Sequence, residues 1–223
     1  MQLIKCKLYF IELESNLDEL AKIMQKEAYL SNKRNGFLID ILNHSNLSGQ
    51  YIEEYIHEEL VLNPYGEETK ISIKKFIIIN FDFSIYGKNK FVLRIDNTPR
   101  GVKQFIDKLN NSINKSMIIF PIIFDINNVL LLIKENNNIR RVEIKELCVS
   151  SIFINKNTFA KINLYSEKDA LNDFNEHFKF KQFNFDSFKC GFYYNQQYVD
   201  LEIRKSGLII ITGHAISLLY QFI

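Results

Sequence analysis

Tryptophan is absent from this chain, and proline and cysteine are rare: three of each in 223 residues, alongside only eight glycines. So little proline and glycine excludes collagen-like or linker-rich architectures and implies packed secondary structure along most of the length. Cys6, Cys148 and Cys190 are odd in number, far apart and never spaced as CxxC. That pattern excludes a disulfide scaffold or zinc ribbon and predicts reduced thiols. No stretch approaches the ~20 apolar residues of a membrane helix; the longest apolar run lies between Met117 and Asp125. The first residues lack the basic region, apolar core and small-residue cleavage site of a secretory leader, so the expectation is a cytoplasmic protein that does not enter the membrane. A dominant charge is missing too. With 28 Lys and Arg against 26 Asp and Glu, the net charge is +2, which excludes a whole-molecule field for polyanions and leaves only local basic patches.

What is present is apolar and aromatic: 47% hydrophobic and 13% aromatic residues, enough to build a large core. Abundant Ile, Lys, Asn and Phe suggest AT-rich coding DNA of the kind found in low-GC bacteria and their phages. The most legible stretch is at the C-terminus. Val199, Leu201 and Ile203 alternate with Asp200, Glu202 and Arg204, the period of a half-buried strand. Ser206-Gly207 offers a turn, Leu208 to Ile211 a returning strand, and Ala215 to Ile223 a helix apolar nearly all round. Phe81 to Ile85, the turn Tyr86 to Asn89, Phe91 to Ile95 and a helix over 99–113 repeat that order, with Thr98 as N-cap and Pro99 at the first helical position.

The remaining chain reads as α+β. Leu3 to Leu13 is a strand, and Asn16 with Glu19 forms a capping box for a helix to about Tyr29. Asn35-Gly36 is a turn signal before a strand over Phe37 to Leu42. Tyr51 to Leu62 is ambiguous, its apolar spacing fitting a helical stripe or one face of a strand, and its glutamates favour a helix or an exposed strand. Asn63 to Gly66 is a turn and Ile71 to Asn80 a strand. Three strands of a meander follow, Met117 to Ile126, Val129 to Lys134 and Ile139 to Leu147, turning at asparagines. Ser151 to Asn155 and Phe159 to Tyr165 add strands, and Ser166 with Asp169 caps a helix through Phe178. The expected fold is a mainly antiparallel sheet with about four helices and an internal duplication of a strand-helix-sheet-hairpin-helix unit. Its lobes are 1–116 and 158–223, joined by the meander 117–157 and packed as one unit.

The turn Lys205-Ser206-Gly207, the apolar strand after it and Thr212-Gly213 resemble the repeat of TATA-binding proteins over roughly ten residues, a span that a generic strand–strand–helix unit also produces. That family duplicates its unit and binds the DNA minor groove with a curved sheet. The phenylalanine wedges such binding requires cannot be placed here, and the first repeat is too long.

Three chemistries can be sought in the side chains. Glu53, His57 and Glu58 would share or neighbour one helical face, and carboxylates with an imidazole can hold a divalent cation for phosphodiester hydrolysis. The commoner origin of such a pattern is a solvated acidic face, and the second histidine of a zincin is lacking. Asp82 and Asp200 hold matching hairpin positions, where outward-facing strand residues are polar in any case. The run Phe178 to Lys189 interleaves aromatics with lysines, as a single-strand-binding surface would, through Lys179, Lys181, Phe183 and Lys189; the same phenylalanines could equally be core. Arg94, Arg100, Lys103, Arg204 and Lys205 would extend a basic stripe. His214 at a helix start could contact an anion. No GxSxG, P-loop or Cys/His pairing occurs, and no cofactor is expected. The leading expectation is a non-catalytic binding or assembly subunit of a multi-protein system. Its ligand would be a single-stranded nucleic acid or a protein partner engaged through the apolar C-terminal helix, and homo-oligomers are compatible. The alternative is a small metal-dependent nuclease using the acidic cluster.

Overall fold

The computed structural model describes residues 2–97, 102–113, 117–180 and 182–223. Among these are eleven strands, four α-helices and one 3-10 helix, and the strands pair mostly antiparallel. The elements are β1 (Leu3–Leu13), α1 (Leu17–Lys26), β2 (Asn35–Leu42), β3 (Asn46–Leu62), β4 (Glu68–Gly87), β5 (Lys90–Asp96) and α2 (Val102–Ser112). They continue with β6 (Met117–Pro121), α3 (Ile126–Glu135), β7 (Ile139–Asn155), β8 (Thr158–Tyr165), α4 (Ala170–His177), β9 (Asn184–Tyr194), β10 (Gln197–Arg204), β11 (Leu208–Thr212) and the 3-10 helix Gly213–Gln221. The chain divides into two compact units: Tyr9–Phe120, and residues up to Leu8 together with Pro121–Ile223. Strand β1 contributes to both.

In the Tyr9–Phe120 unit the strand order is β2-β3-β4-β5-β1. One face buries Phe37, Tyr51, Phe81 and Phe83 against Leu20 and Met24 of α1 and Phe105 and Leu109 of α2. The aromatics meet edge-on or stacked, with Phe81 and Phe105 rings 5.5 Å apart, the geometry that ring quadrupoles favour. Burial, reinforced by Glu53, pushes the Tyr51 hydroxyl up to about 12. Asn16 caps α1 as expected, its side chain accepting from the Glu19 N–H at 2.8 Å. Glu19 accepts in turn from Ser15 at 2.8 Å.

One expectation in this unit is corrected and one ambiguity is decided. Asn35-Gly36 is not a turn but the start of β2. The glycine is needed because a Cβ there would lie 2.5 Å from the Tyr29 backbone nitrogen. Tyr51 to Leu62 is strand throughout, paired residue by residue with β4 from Asn46↔Ser84 to Leu62↔Glu68. The i, i+4 spacing of Ile52, Ile56 and Leu60 also keeps all three on one face of a strand, at every second inward position, and pairing with β4 settles which one forms. The turn at Asn63 to Gly66 holds: the Asn63 side chain accepts from Tyr65 and Glu67 N–H at 2.9 Å. Thr98 and Pro99 lie outside the described residues.

In the other unit the order is β1-β11-β10-β9-β7-β8. Leu147, Phe188, Leu201, Ile203, Ile209 and Ile211 are all buried. So are Val129, Leu130 and Ile133 of α3, Leu171 and Phe174 of α4, and Leu218 and Leu219 of the 3-10 helix. The meander expected over 117–147 does not form, because Val129 to Lys134 belongs to helix α3. Asp125 is its N-cap, accepting from Asn127 and Asn128 N–H at 3.0 and 3.4 Å, so the asparagines expected to turn the chain form the first helical turn. Ile126, Val129, Leu130 and Ile133 then make one buried stripe at i, i+3, i+4 and i+7. The hairpin β10–β11 matches its sequence signature. Gly207 sits at φ +85°, and a Cβ there would approach the Ile122 carbonyl to 2.5 Å. No helix among the described residues is long and apolar enough to cross a membrane.

The C-terminal segment is a 3-10 helix whose Ala215, Leu218, Leu219 and Phe222 are buried in the chain itself, so those side chains are not offered to a partner. Substituting Leu218→Ala should therefore cost about 2–5 kcal/mol of stability, the range for emptying a leucine site. Urea unfolding of the wild type and variant checks this, and a midpoint that stays put would show the helix is not core.

Candidate functional site

The residue-by-residue pairing of β8, β7, β9 and β10 arranges the side chains opposite the buried face in rows. Tyr165 lies opposite Glu146, Glu146 opposite Lys189, and Lys189 opposite Glu202. The next row runs Asn163, Cys148, Ser187 and Arg204. Between these strands the surface is concave, a cavity of about 700 Å³ that Lys161, Asp186, Lys205, Ser206 and Ile123 help to line. A register shift in β9 makes the third row. Cys148 pairs with Ser187 and Val149 with Phe185, which leaves Asp186 as the extra residue of a bulge, a device that re-aims a side chain. The Asp186 carboxylate accepts from Ser150 Oγ at 2.7 Å and Lys161 Nζ at 3.0 Å. Its backbone carbonyl accepts from Lys205 N–H at 2.7 Å and so fixes the turn that carries Lys205.

The charges alternate in sign across this floor. Lys189 pairs with Glu146 at 3.2 Å, and Arg204 with Glu202 at 2.7 Å. Lys161, Lys189, Arg204 and Lys205 face Glu146, Asp186 and Glu202, four cations against three carboxylates. Burial pushes the Asp186 carboxyl up, but Ser150, Lys161 and Lys205 together outweigh it and hold Asp186 below the usual carboxylate range. The hydrogen bond to Asp186 raises Lys161. Exposed ion pairs like these contribute about 0–1 kcal/mol each, so an incoming anion can share their cations at little cost. At the rim, Tyr165 is 74% exposed and Ile123 69% exposed. A flat aromatic and an apolar side chain thus stand in solvent beside the cations.

Of the basic residues singled out from the sequence, Lys189, Arg204 and Lys205 meet in this cavity. Arg94 lies in the Tyr9–Phe120 unit, bound to Asp96 at 2.9 Å. Burial outweighs that arginine and raises the Asp96 carboxyl. Lys103 is exposed on α2, and Lys179 is exposed after α4. Arg100 and Lys181 lie outside the described residues. Phe183 does not present its ring as a free platform: it packs 5.0 Å from Phe174, and Phe185, Phe188 and Phe192 are buried. Of the five phenylalanines in that run, Phe185 and Phe188 are core, both turned inward by the bulge at Asp186, while half-buried Phe178, Phe180 and Phe183 pack on Phe174. The sequence reading missed Lys161 and Tyr165. Alternation along β8 was the available signal, but nothing local reveals that β8 lies near β10.

The acidic cluster is spread along β3, where Glu53 and His57 stand four residues, about 13 Å, apart, and the helical face that would gather them does not form. His57 contacts Glu59 at 2.9 Å, and Glu58 contacts Lys70 at 2.6 Å. Among the described residues no group of three His, Cys, Asp or Glu side chains is placed to hold a metal ion. Asp82 accepts from Ser84 Oγ at 3.0 Å, and Asp200 lies 3.7 Å from Lys145, so each is served within its own unit. His214 is exposed. No protein-family model matches this chain, and no curated protein is similar to it in sequence.

Asp186 gives a test of the site's electrostatics. Its folded-state pKa is depressed, so its contribution is fully present above the ordinary aspartate value near ~3.9. That contribution is lost as pH falls through the folded value. Asp186→Asn should lower stability by about 1 kcal/mol at pH 7, a size set by the neighbouring solvent. The deficit should shrink as pH drops below about 4. Urea midpoints at pH 7 and pH 3 measure it, and a deficit that grows on acidification would refute the assignment.

Proposed function

We propose that this protein is a non-catalytic binding subunit that holds single-stranded nucleic acid across the open face of β8, β7, β9 and β10. One observation carries the reading: Lys161, Lys189, Arg204 and Lys205 line a single open cavity with the exposed ring of Tyr165. Cations neutralise backbone phosphates, while an aromatic face stacks a base regardless of its identity. The site therefore suits a flexible strand that can splay a base out more than a stacked duplex. The carboxylates between the cations limit non-specific attraction and set a spacing for the phosphates. They also fit the near-balanced charge of the whole chain, because affinity would come from a local surface and not from a global field. Because β7, β9 and β10 bury side chains on their other face, the ligand does not have to open the core.

Fluorescence anisotropy with labelled single-stranded DNA and RNA at two salt concentrations tests this. Three to four phosphate contacts predict a log–log salt slope of about −2 to −3. Arg204→Glu with Lys205→Glu should weaken binding at least about tenfold, as the loss of two charge-assisted contacts implies. Tyr165→Ala should cost about 1–3 kcal/mol. The probe should remain intact with magnesium or manganese. Absence of binding at low salt, or probe cleavage by the purified chain, would overturn the reading.

A further inference from the structure

The second feature that function has to account for is an arm in the Tyr9–Phe120 unit. Strands β3 and β4 are 17 and 20 residues long, yet their neighbours cover only their bases. Pairing of β2 with β3 ends at Asn35↔Glu53, and pairing of β5 with β4 begins at Asn80↔Asp96. Among the described residues, Tyr55–Leu62 and Glu68–Lys75 therefore form a two-stranded ribbon with both outer edges unpaired by strands. Its faces are also uncovered: Ile56, Leu60 and Leu62 on one face are 56–68% exposed, and Val61 and Ile71 on the other 42–43%. An isolated two-stranded ribbon is marginal in water, and a long apolar open edge is a template for another strand.

We propose that the occupant of these edges is a second copy of this chain, docked with the β4 edge of one arm against the β3 edge of the next. Charge selects this arrangement. Strand β3 carries Glu53, Glu54, Glu58 and Glu59, and β4 carries Lys70, Lys74 and Lys75. The two columns already attract each other within one arm, where Lys70 meets Glu58 at 2.6 Å and Lys74 meets Glu54 at 2.9 Å. A β3 edge against a partner's β3 would oppose glutamates, and a β4 edge against a partner's β4 would oppose lysines, both destabilising. A β4 edge beside a β3 edge continues the alternation, so each glutamate column lies between two lysine columns. Arms pointing the same way then pair antiparallel, as within the ribbon itself. Such contacts are heterologous, and they propagate to a ring or a filament instead of stopping at a dimer. Charged side chains occur on both faces of the ribbon, so an assembly of arms keeps contact with water on each side. The proposal is independent of the nucleic-acid reading, since no residue of that cavity lies on the arm.

The test is a charge exchange followed by sedimentation velocity of the full-length chain across concentration and salt. Wild type should sediment as species larger than a dimer that grow with concentration, with assembly weakening as salt rises, as expected when exposed charges steer it, and a species that stops at the dimer would contradict a propagating contact. A chain with Lys70→Glu, Lys74→Glu and Lys75→Glu has two acidic columns. A chain with Glu54→Lys, Glu58→Lys and Glu59→Lys has two basic ones. Each alone should be monomeric, with the wild-type circular dichroism of the protein body, and an equimolar mixture should reassemble. A monomeric wild type, variants that still associate alone, or a mixture of folded variants that stays monomeric would each overturn the proposal.

Discussion

The antiparallel register of β9 with β10 is the constraint on which the candidate surface depends. With Phe188 opposite Ile203, Lys189 must stand opposite Glu202 and Ser187 opposite Arg204. Side chains alternate along a strand, so a slip of one residue would exchange the two faces completely. Phe188 and Ile203 are among the most deeply buried side chains of their unit. Apolar burial at ~25 cal/mol per Å² over such side chains makes that slip expensive. The charged floor is thus positioned by the hydrophobic face behind it, more than by its own exposed ion pairs. The bulge at Asp186 is the local exception, turning one carboxylate to meet Lys161 and Ser150 while its carbonyl holds Lys205.

Much of the strand pattern was legible, and the reason differs by element. The β10–β11 hairpin announces itself through strict alternation and a glycine forced to positive φ. Strand β1, helix α1 and helix α4 likewise have local signals in alternation or a capping side chain. Where the reading failed, one spacing served two structures. Val129 to Ile133 is a short apolar run compatible with strand or helix, and the Asp125 cap decides it. Ile56 and Leu60 fit a helical stripe or one strand face, and only the distant partner β4 decides between them. The candidate site divides in the same way. Arg204 and Lys205 adjoin in one hairpin and could be read together. Lys161 and Tyr165 arrive through the β7–β8 hairpin and then the β7–β9 pairing, which skips β8 and α4 in sequence, and both pairings are interrupted by bulges.

The two units handle open sheet surface differently. In one, an uncovered face carries alternating charges and a few hydrogen-bonding side chains, the surface proposed to receive a charged ligand. In the other, the arm leaves backbone edges and bulky apolar side chains together in solvent, an arrangement that favours covering by further strands. These two features are the grounds for the proposal of a binding subunit that works in multiple copies.

Photo-crosslinking tests the central assignment most directly. Single-stranded nucleic acid bearing photoreactive bases would be irradiated with the wild-type protein, and the modified peptides mapped by mass spectrometry. The account predicts adducts at Tyr165 and in the segments of β9 and β10 bearing Lys189 and Arg204. Adducts confined to the arm, or scattered over surface lysines with none in β8 to β10, would contradict it.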